Sequence, residues 1–132
     1  MEEKQTVLVV DDNEAVLELM ADLLEAFGFK VHKAKEGVEA MELMLTYGHL
    51  DHILCDIGLP EGLDGLQFAR AVQTVMPHIN VVLITGLAKD YVESLPAYDP
   101  TFKILRKPIS IDALLTVFPN SNAISNPASV TL

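Results

Sequence analysis

Apolar residues along this chain fall into short unbroken runs, separated by stretches in which they recur every three or four positions. Three runs, Thr6–Val10, residues 53–55 and residues 81–84, are rich in β-branched side chains and hardly alternate with polar ones. A strand with one wet face alternates and a strand covered on both faces does not, so these runs predict the centre of a parallel sheet. Lys30–Ala34 and residues 102–105 are more polar and predict two further strands. In the first intervening segment Asn13 is placed to cap a helix, Val16, Met20, Leu23 and Phe27 recur at helical spacing, and Gly28 is placed to end it. A second helix is predicted over residues 38–47, with Ala40, Met41, Met44 and Leu45 as its apolar side and the methionines as core filler. A third, over residues 66–75, stops before Pro77, and a last one follows Ser110 over residues 111–118. Residues 87–94 are followed by Pro96 and Pro100, which predicts a shortened or irregular fourth helix. The alternation of strand and helix describes an α/β domain wound on both faces of its sheet.

At 132 residues the chain fits one such domain, expected over residues 1–118. Residues 119–132, PNSNAISNPASVTL, are polar, uncharged and without periodicity, and read as a flexible tail or linker. The lone cysteine, Cys55, has no internal partner and lies in an apolar run, so it reads as core in a reducing, cytoplasmic protein. No run is long enough to span a bilayer and the start, MEEKQTVLVV, lacks a signal-peptide pattern, so no membrane insertion is expected. The net charge of −10, from 19 acidic and 9 basic residues, repels a phosphate backbone and argues against nucleic acid as a partner. His32, His49, His52 and His78 have no paired ligand spacing and read as ordinary surface or boundary residues.

The chemistry gathers at the strand ends. In open α/β sheets ligands sit beyond the carboxyl ends of the strands, where the strand order reverses. Asp11 and Asp12 follow the first strand, Asp56 ends the third, Thr85 ends the fourth and Lys107 follows the fifth. Singly, each has an ordinary explanation: Asp11 and Asp12 beside a helix cap, Asp56 in a turn before Gly58 and Pro60, Thr85 as a strand end, Lys107-Pro108 as a surface turn. Together they bring compatible groups from four strands to one rim. Carboxylates about 4 Å apart repel by roughly 4 kcal/mol at an effective dielectric near 20. Mg²⁺, a hard cation that takes few protein oxygens and keeps several waters, suits such a rim. Mg²⁺, an ammonium and a hydroxyl can each hold one equatorial oxygen of a phosphoryl group while a carboxylate attacks in line.

The motifs VLVVDDN, ILCDIGLP, LITG and LRKP, in this order and spacing, resemble the receiver domains of two-component response regulators, the CheY-like superfamily, over about residues 6–118. The resemblance implies a flavodoxin-like doubly wound sheet of five parallel strands in order 2-1-3-4-5 with about five helices. It implies that Asp56 is the phosphoacceptor, that Asp12, Asp56 and the Gly58 backbone carbonyl bind Mg²⁺, and that Asp11 acts mainly through water. Thr85 would hydrogen-bond the phosphoryl group and Lys107 would pair with it, beside a cis Lys107–Pro108 peptide. The donor would be a histidine kinase or a histidine phosphotransfer protein. The chain departs from the family pattern in a segment one residue longer between Asp56 and Asp64-Gly65, in Ile104 where many receivers carry an aromatic ring, and in Tyr98, Asp99 and Pro100 where Gly-Ala is usual. An aromatic–threonine relay is therefore not expected. Two other readings remain open: a phosphorylation-independent scaffold, and a phosphatase with a carboxylate nucleophile, whose expected Asp-x-Asp pattern DDNEA does not match.

Overall fold

The computed structural model describes residues 4–59 and 64–118 of the chain. In chain order the elements are β1 (Thr6–Val10), α1 (Glu14–Ala26), β2 (Lys30–Ala34), α2 (Gly37–Tyr47), β3 (His52–Asp56), α3 (Gly65–Val75), β4 (Asn80–Thr85), α4 (Lys89–Glu93), β5 (Lys103–Arg106) and α5 (Ile111–Thr116). The five strands form one sheet, all neighbours parallel, in the order β2-β1-β3-β4-β5. That is the doubly wound architecture the sequence predicts. The expected tail, residues 119–132, lies outside the described residues.

Two-residue alternation sends the interior residues of the central strands into a core on each face, and polar residues stand only at the strand ends. Val7, Val9, Leu54, Val82 and Ile84 face one way and pack with Leu17, Met20 and Leu24 of α1 and Ile111 and Leu114 of α5. Leu8, Val10, Ile53, Cys55, Val81 and Leu83 face the other way and pack with Ala40 of α2, Leu66, Phe68, Ala69 and Val72 of α3 and Val92 of α4. Each fully buried aliphatic side chain contributes about 1.5–3 kcal/mol relative to exposure. The edge strands are half-covered, and lysines at Lys30, Lys33 and Lys103 oppose further strand pairing there.

The helices dock on slightly different faces from those expected. In α1 the buried stripe is Leu17, Met20, Ala21 and Leu24, with Val16 and Leu23 at its flanks. Gly28, at φ 97°, takes the positive dihedral that ends this helix. The predicted apolar side of α2 is corrected more strongly. Gly37 and Ala40 are buried and Met44 is half-buried, but Met41 is 41% exposed and Leu45 87% exposed. This helix is apolar nearly all round, so composition does not select the docking side; the small residues do, by allowing close approach to the sheet. Met41 is therefore surface rather than core filler. The fourth helix is short, as expected, with only Val92 buried. The last one ends at Thr116, two residues early, and the Val117 carbonyl at its C-cap accepts a hydrogen bond from Asn80 Nδ2 at 2.8 Å.

His52 also departs from its surface reading. It is buried at the foot of β3, between the rings of Phe29 and Phe118. Its Nε2 pairs with Gln5 Oε1 at 2.7 Å and its Nδ1 with Asn80 Nδ2 at 3.0 Å. Asn80 Oδ1 accepts from Lys103 Nζ, so the Asn80 amide donates to the ring and the neutral imidazole carries its proton on Nε2. Burial lowers the His52 pKa below its ordinary 6.5, against the opposing pull of Asp51. The unfolded chain therefore binds this proton first, and stability present above about pH 6.5 is lost as pH falls towards the lowered folded value. His52→Gln is expected to flatten the melting temperature between about pH 5 and 7 relative to wild type. Equal slopes in the two proteins would contradict the assignment.

Candidate functional site

Each site residue is delivered by a strand end. Asp11 follows β1 and is held by its N–H donating to the Ala34 carbonyl at the end of β2. Its Oδ1 accepts the Asn13 N–H at 2.8 Å, and Asn13 Oδ1 in turn caps α1 through the Val16 N–H, so one turn both orients the carboxylate and starts the helix. Asp56 closes β3, and its Oδ1 accepts the Gly58 N–H at 3.1 Å. Thr85 closes β4; its carbonyl accepts the Lys107 N–H at 2.7 Å, which ties the end of β5 to it. The Lys107–Pro108 peptide is cis, as the resemblance implies.

These placements converge. Lys107 Nζ lies 3.5 Å from Asp56 Oδ2 and 3.6 Å from Asp11 Oδ2. One carboxylate oxygen from each of Asp11, Asp12 and Asp56 falls within 4.8 Å of the others. Asp12 is exposed, Asp56 is nearly buried and Asp11 is wholly buried. Thr85 is buried, and its Oγ1 accepts the Leu87 N–H at 2.9 Å, which leaves the hydroxyl proton free. Gly58 is at the rim, where its backbone N–H donates a hydrogen bond to the Asp56 carboxylate. Cys55 is core, as expected: burial pushes its thiol well up and the S–H points to the Asp56 carbonyl.

The charge of this cluster is not balanced by the protein. Three carboxylates face one ammonium, and Asp11 Oδ2 is a buried side-chain oxygen with no hydrogen-bond partner among the described residues. Burial raises the Asp11 pKa above its ordinary 3.8; the Asn13 amide opposes this, the Asp56 charge adds to it, Lys107 lowers it and Asp12 raises it. A hard divalent cation with oxygen ligands fits this donor set and would offset both the repulsion and the orphaned oxygen.

The sign of that imbalance is measurable. With a folded value above 3.8, Asp11 contributes stability below that pH and loses it as pH rises through the raised value, so at neutral pH the metal-free protein carries the deficit. Asp11→Asn is expected to stabilise the metal-free protein, raising its melting temperature at neutral pH. The same change is expected to shrink the stabilisation by Mg²⁺, which for an intact site reaches about 2.7 kcal/mol at a hundredfold excess over Kd. Thermal melts of both proteins with Mg²⁺ and with chelator check this, and a lower metal-free melting temperature in the variant contradicts it.

Gly65 is a site residue that the pattern of strand ends does not reveal. It opens α3 with its N–H donating to the Ile57 carbonyl, and a Cβ there would lie 2.3 Å from the Asp56 carbonyl oxygen and 2.6 Å from Ile57 Cα. The adjoining capping box, in which Asp64 and Gln67 exchange side-chain and backbone hydrogen bonds, has a readable Asp-x-x-Gln signature. The close approach of Gly65 has none.

Residues 7–118 match the family described as the response regulator receiver domain. The polar-differentiation response regulator DivK of Brucella ovis is 33% identical over 81% of this chain and 87% of its own length. The sensor kinase CckA of Brucella abortus is 37% identical over 84% of this chain, which spans only 12% of that longer protein. A response regulator receiver protein from Sinorhizobium medicae superposes with TM-score 0.77 at 30% identity, over 87% of this chain and 91% of that one. A receiver domain protein from Clostridium thermocellum superposes with the same TM-score at 26% identity, over 88% and 92%. No described helix is long and apolar enough to cross a membrane. By fold, by sequence and by the match of 7–118, the chain belongs to the response regulator receiver domain family, the signalling modules of two-component systems.

Proposed function

We propose that this chain accepts a phosphoryl group on Asp56 from the phosphohistidine of a histidine kinase or histidine phosphotransfer protein, and that the modification changes a partner-binding surface. The observation that carries this reading is the single ammonium of Lys107 within ion-pair distance of two carboxylates from different strands, one of them through a buried oxygen that has no hydrogen-bond partner among the described residues. The likeness to CckA, a sensor kinase, and to DivK, a response regulator, supports a kinase-linked phosphoryl donor.

Asp12, Asp56 and the Gly58 carbonyl would hold Mg²⁺, with Asp11 acting through water. When bound, the cation supplies positive charge that offsets the carboxylates and the phosphoryl oxygens. Asp56 attacks phosphorus as the imidazole nitrogen leaves, so one P–N bond breaks and one P–O bond forms. Lys107 moves from its carboxylate partners to pair with a phosphoryl oxygen, and Thr85 donates its free hydroxyl proton to another. Hydrolysis of the acyl phosphate returns Asp56 and inorganic phosphate. Gly58 and Leu87 flank the water's approach and offer no acid or amide side chain to orient it. The added charge biases Thr85 and its loop between two arrangements.

A second reading is favoured by the five-residue α4 and by Ile104 at the relay position: a phosphorylation-independent receiver that acts as an interaction scaffold. The two separate in one experiment. Incubation with acetyl phosphate, in Mg²⁺ or in chelator, is expected to add one phosphoryl group only with Mg²⁺, mapped by mass spectrometry to the peptide containing Asp56. Neither Mg²⁺ binding nor phosphoryl uptake would favour the scaffold.

A further inference from the structure

We infer that Arg106 is a positioning residue for Thr85, holding the loop after β4 in the arrangement that presents the Thr85 hydroxyl to the phosphoryl group; this rests on the reading of Asp56 as phosphoacceptor. Arg106 is the last residue of β5 and pairs in register with Thr85, the last residue of β4. Alternation along β5 places Ile104 and Arg106 on the α4 side of the sheet and Leu105 on the other. From there Arg106 Nη2 donates to the Leu87 carbonyl. The Leu87 N–H in turn donates to Thr85 Oγ1 at 2.9 Å. Leu87 is thus bracketed: its carbonyl is fixed by Arg106, and its amide occupies one acceptor site of the threonine oxygen, which orients the hydroxyl and leaves its proton free for a ligand.

This arrangement also connects two regions. Arg106 lines a cleft of about 180 Å³ together with Val92, Tyr98, Phe102 and Ile104. Ile104 has no polar group with which to report the position of Thr85. The guanidinium has one, and reaches from the cleft wall to the backbone two residues beyond the threonine. A displacement of Leu87 is therefore felt at the cleft through Arg106. Among the described residues Arg106 has no hydrogen bond or ion pair to Asp11, Asp12 or Asp56, and its side chain reaches Thr85 through the Leu87 backbone.

The test uses the full chain with Arg106→Ala and Arg106→Lys variants and two readouts. Hydrogen exchange at the Leu87 amide, followed by NMR without phosphate, is expected to accelerate about fivefold in Arg106→Ala, the size of one exposed hydrogen bond. The limiting rate of phosphorylation by acetyl phosphate is expected to fall by a similar factor of about five, with Mg²⁺ affinity and half-saturating donor concentration unchanged and the melting temperature lowered by only a few degrees, as the loss of one hydrogen bond requires. Arg106→Lys, which retains one donor for the single carbonyl, is expected to recover most of both effects. Unchanged Leu87 exchange, or an unchanged limiting rate once Leu87 is freed, overturns the inference. Wild-type protein that takes no phosphate while Leu87 still responds to Arg106→Ala sinks the phosphoacceptor reading and leaves the hold on Thr85 standing.

Discussion

Asp56→Asn is expected to reduce Mg²⁺-dependent phosphoryl incorporation by on the order of a hundredfold or more, because an amide oxygen is a poor nucleophile where a carboxylate is a good one. The substitution is nearly isosteric. Asn Oδ1 can still accept the Gly58 N–H that Asp56 Oδ1 accepts at 3.1 Å, so the loop after β3 keeps its anchor. It removes the attraction to Lys107 at 3.5 Å, and it also removes repulsion from Asp11 and Asp12, whose oxygens lie within 4.8 Å. These effects oppose one another, and the metal-free melting temperature is expected to stay close to that of the wild type. A folded variant that incorporates phosphate at the wild-type rate would eliminate Asp56 as the acceptor. A folded variant that does not incorporate it separates chemistry from stability, which truncation to alanine would not.

The second large effect is expected from Gly65→Ala. Helix propensity alone favours alanine over glycine by about 1 kcal/mol. The added methyl, however, would stand 2.3 Å from the Asp56 carbonyl oxygen, 2.6 Å from Ile57 Cα and 2.9 Å from the Asp56 carbonyl carbon. All three are backbone atoms, so no rotamer change relieves the overlap, and α3 must move away from the end of β3. Overpacking of this kind costs about 1–3 kcal/mol or more, which exceeds the gain in propensity. The variant is expected to lose about 2 kcal/mol of stability and, because Asp56 moves with its carbonyl, to take up phosphate more slowly. The internal controls are Gly58→Ala and Gly86→Ala. The first would meet only Asp56 Oδ1 at 3.9 Å and the second nothing within 4 Å, so both are expected to stay within about 1 kcal/mol of wild type. Chemical denaturation of the three variants checks the ordering; equal stabilities for Gly65→Ala and Gly86→Ala would show that α3 yields without cost.

The sequence by itself determined the strands, their burial on both faces and the residues at their carboxyl ends. Hydrophobic periodicity is a local property, and Thr6–Val10 or residues 81–84 can be read without knowing their neighbours. The amino ends of β3 and β4, His52 and Asn80, were less legible, since polar residues enter a buried strand only where a partner elsewhere satisfies them. His52 illustrates this: its burial depends on Gln5 and Asn80, far from it in the chain and adjacent only once β1, β3 and β4 pair. The docking side of α2 was decided in the same way, because a helix whose apolar surface is much wider than its Glu39, Glu42 and Thr46 stripe selects a face only when a sheet is present to approach.

The candidate site divides along the same line. Asp11, Asp12, Asp56, Thr85 and Lys107 were identifiable as residue types at strand ends, and the fold carried them to one rim because parallel strands all end on the same edge. The orphaned oxygen of Asp11, the close approach of Gly65 and the bracket from Arg106 to Thr85 through Leu87 were decided only by tertiary structure. Each is a distance between atoms on separate elements. Periodicity specifies which way a side chain faces, and it carries no measure of how near another segment will come.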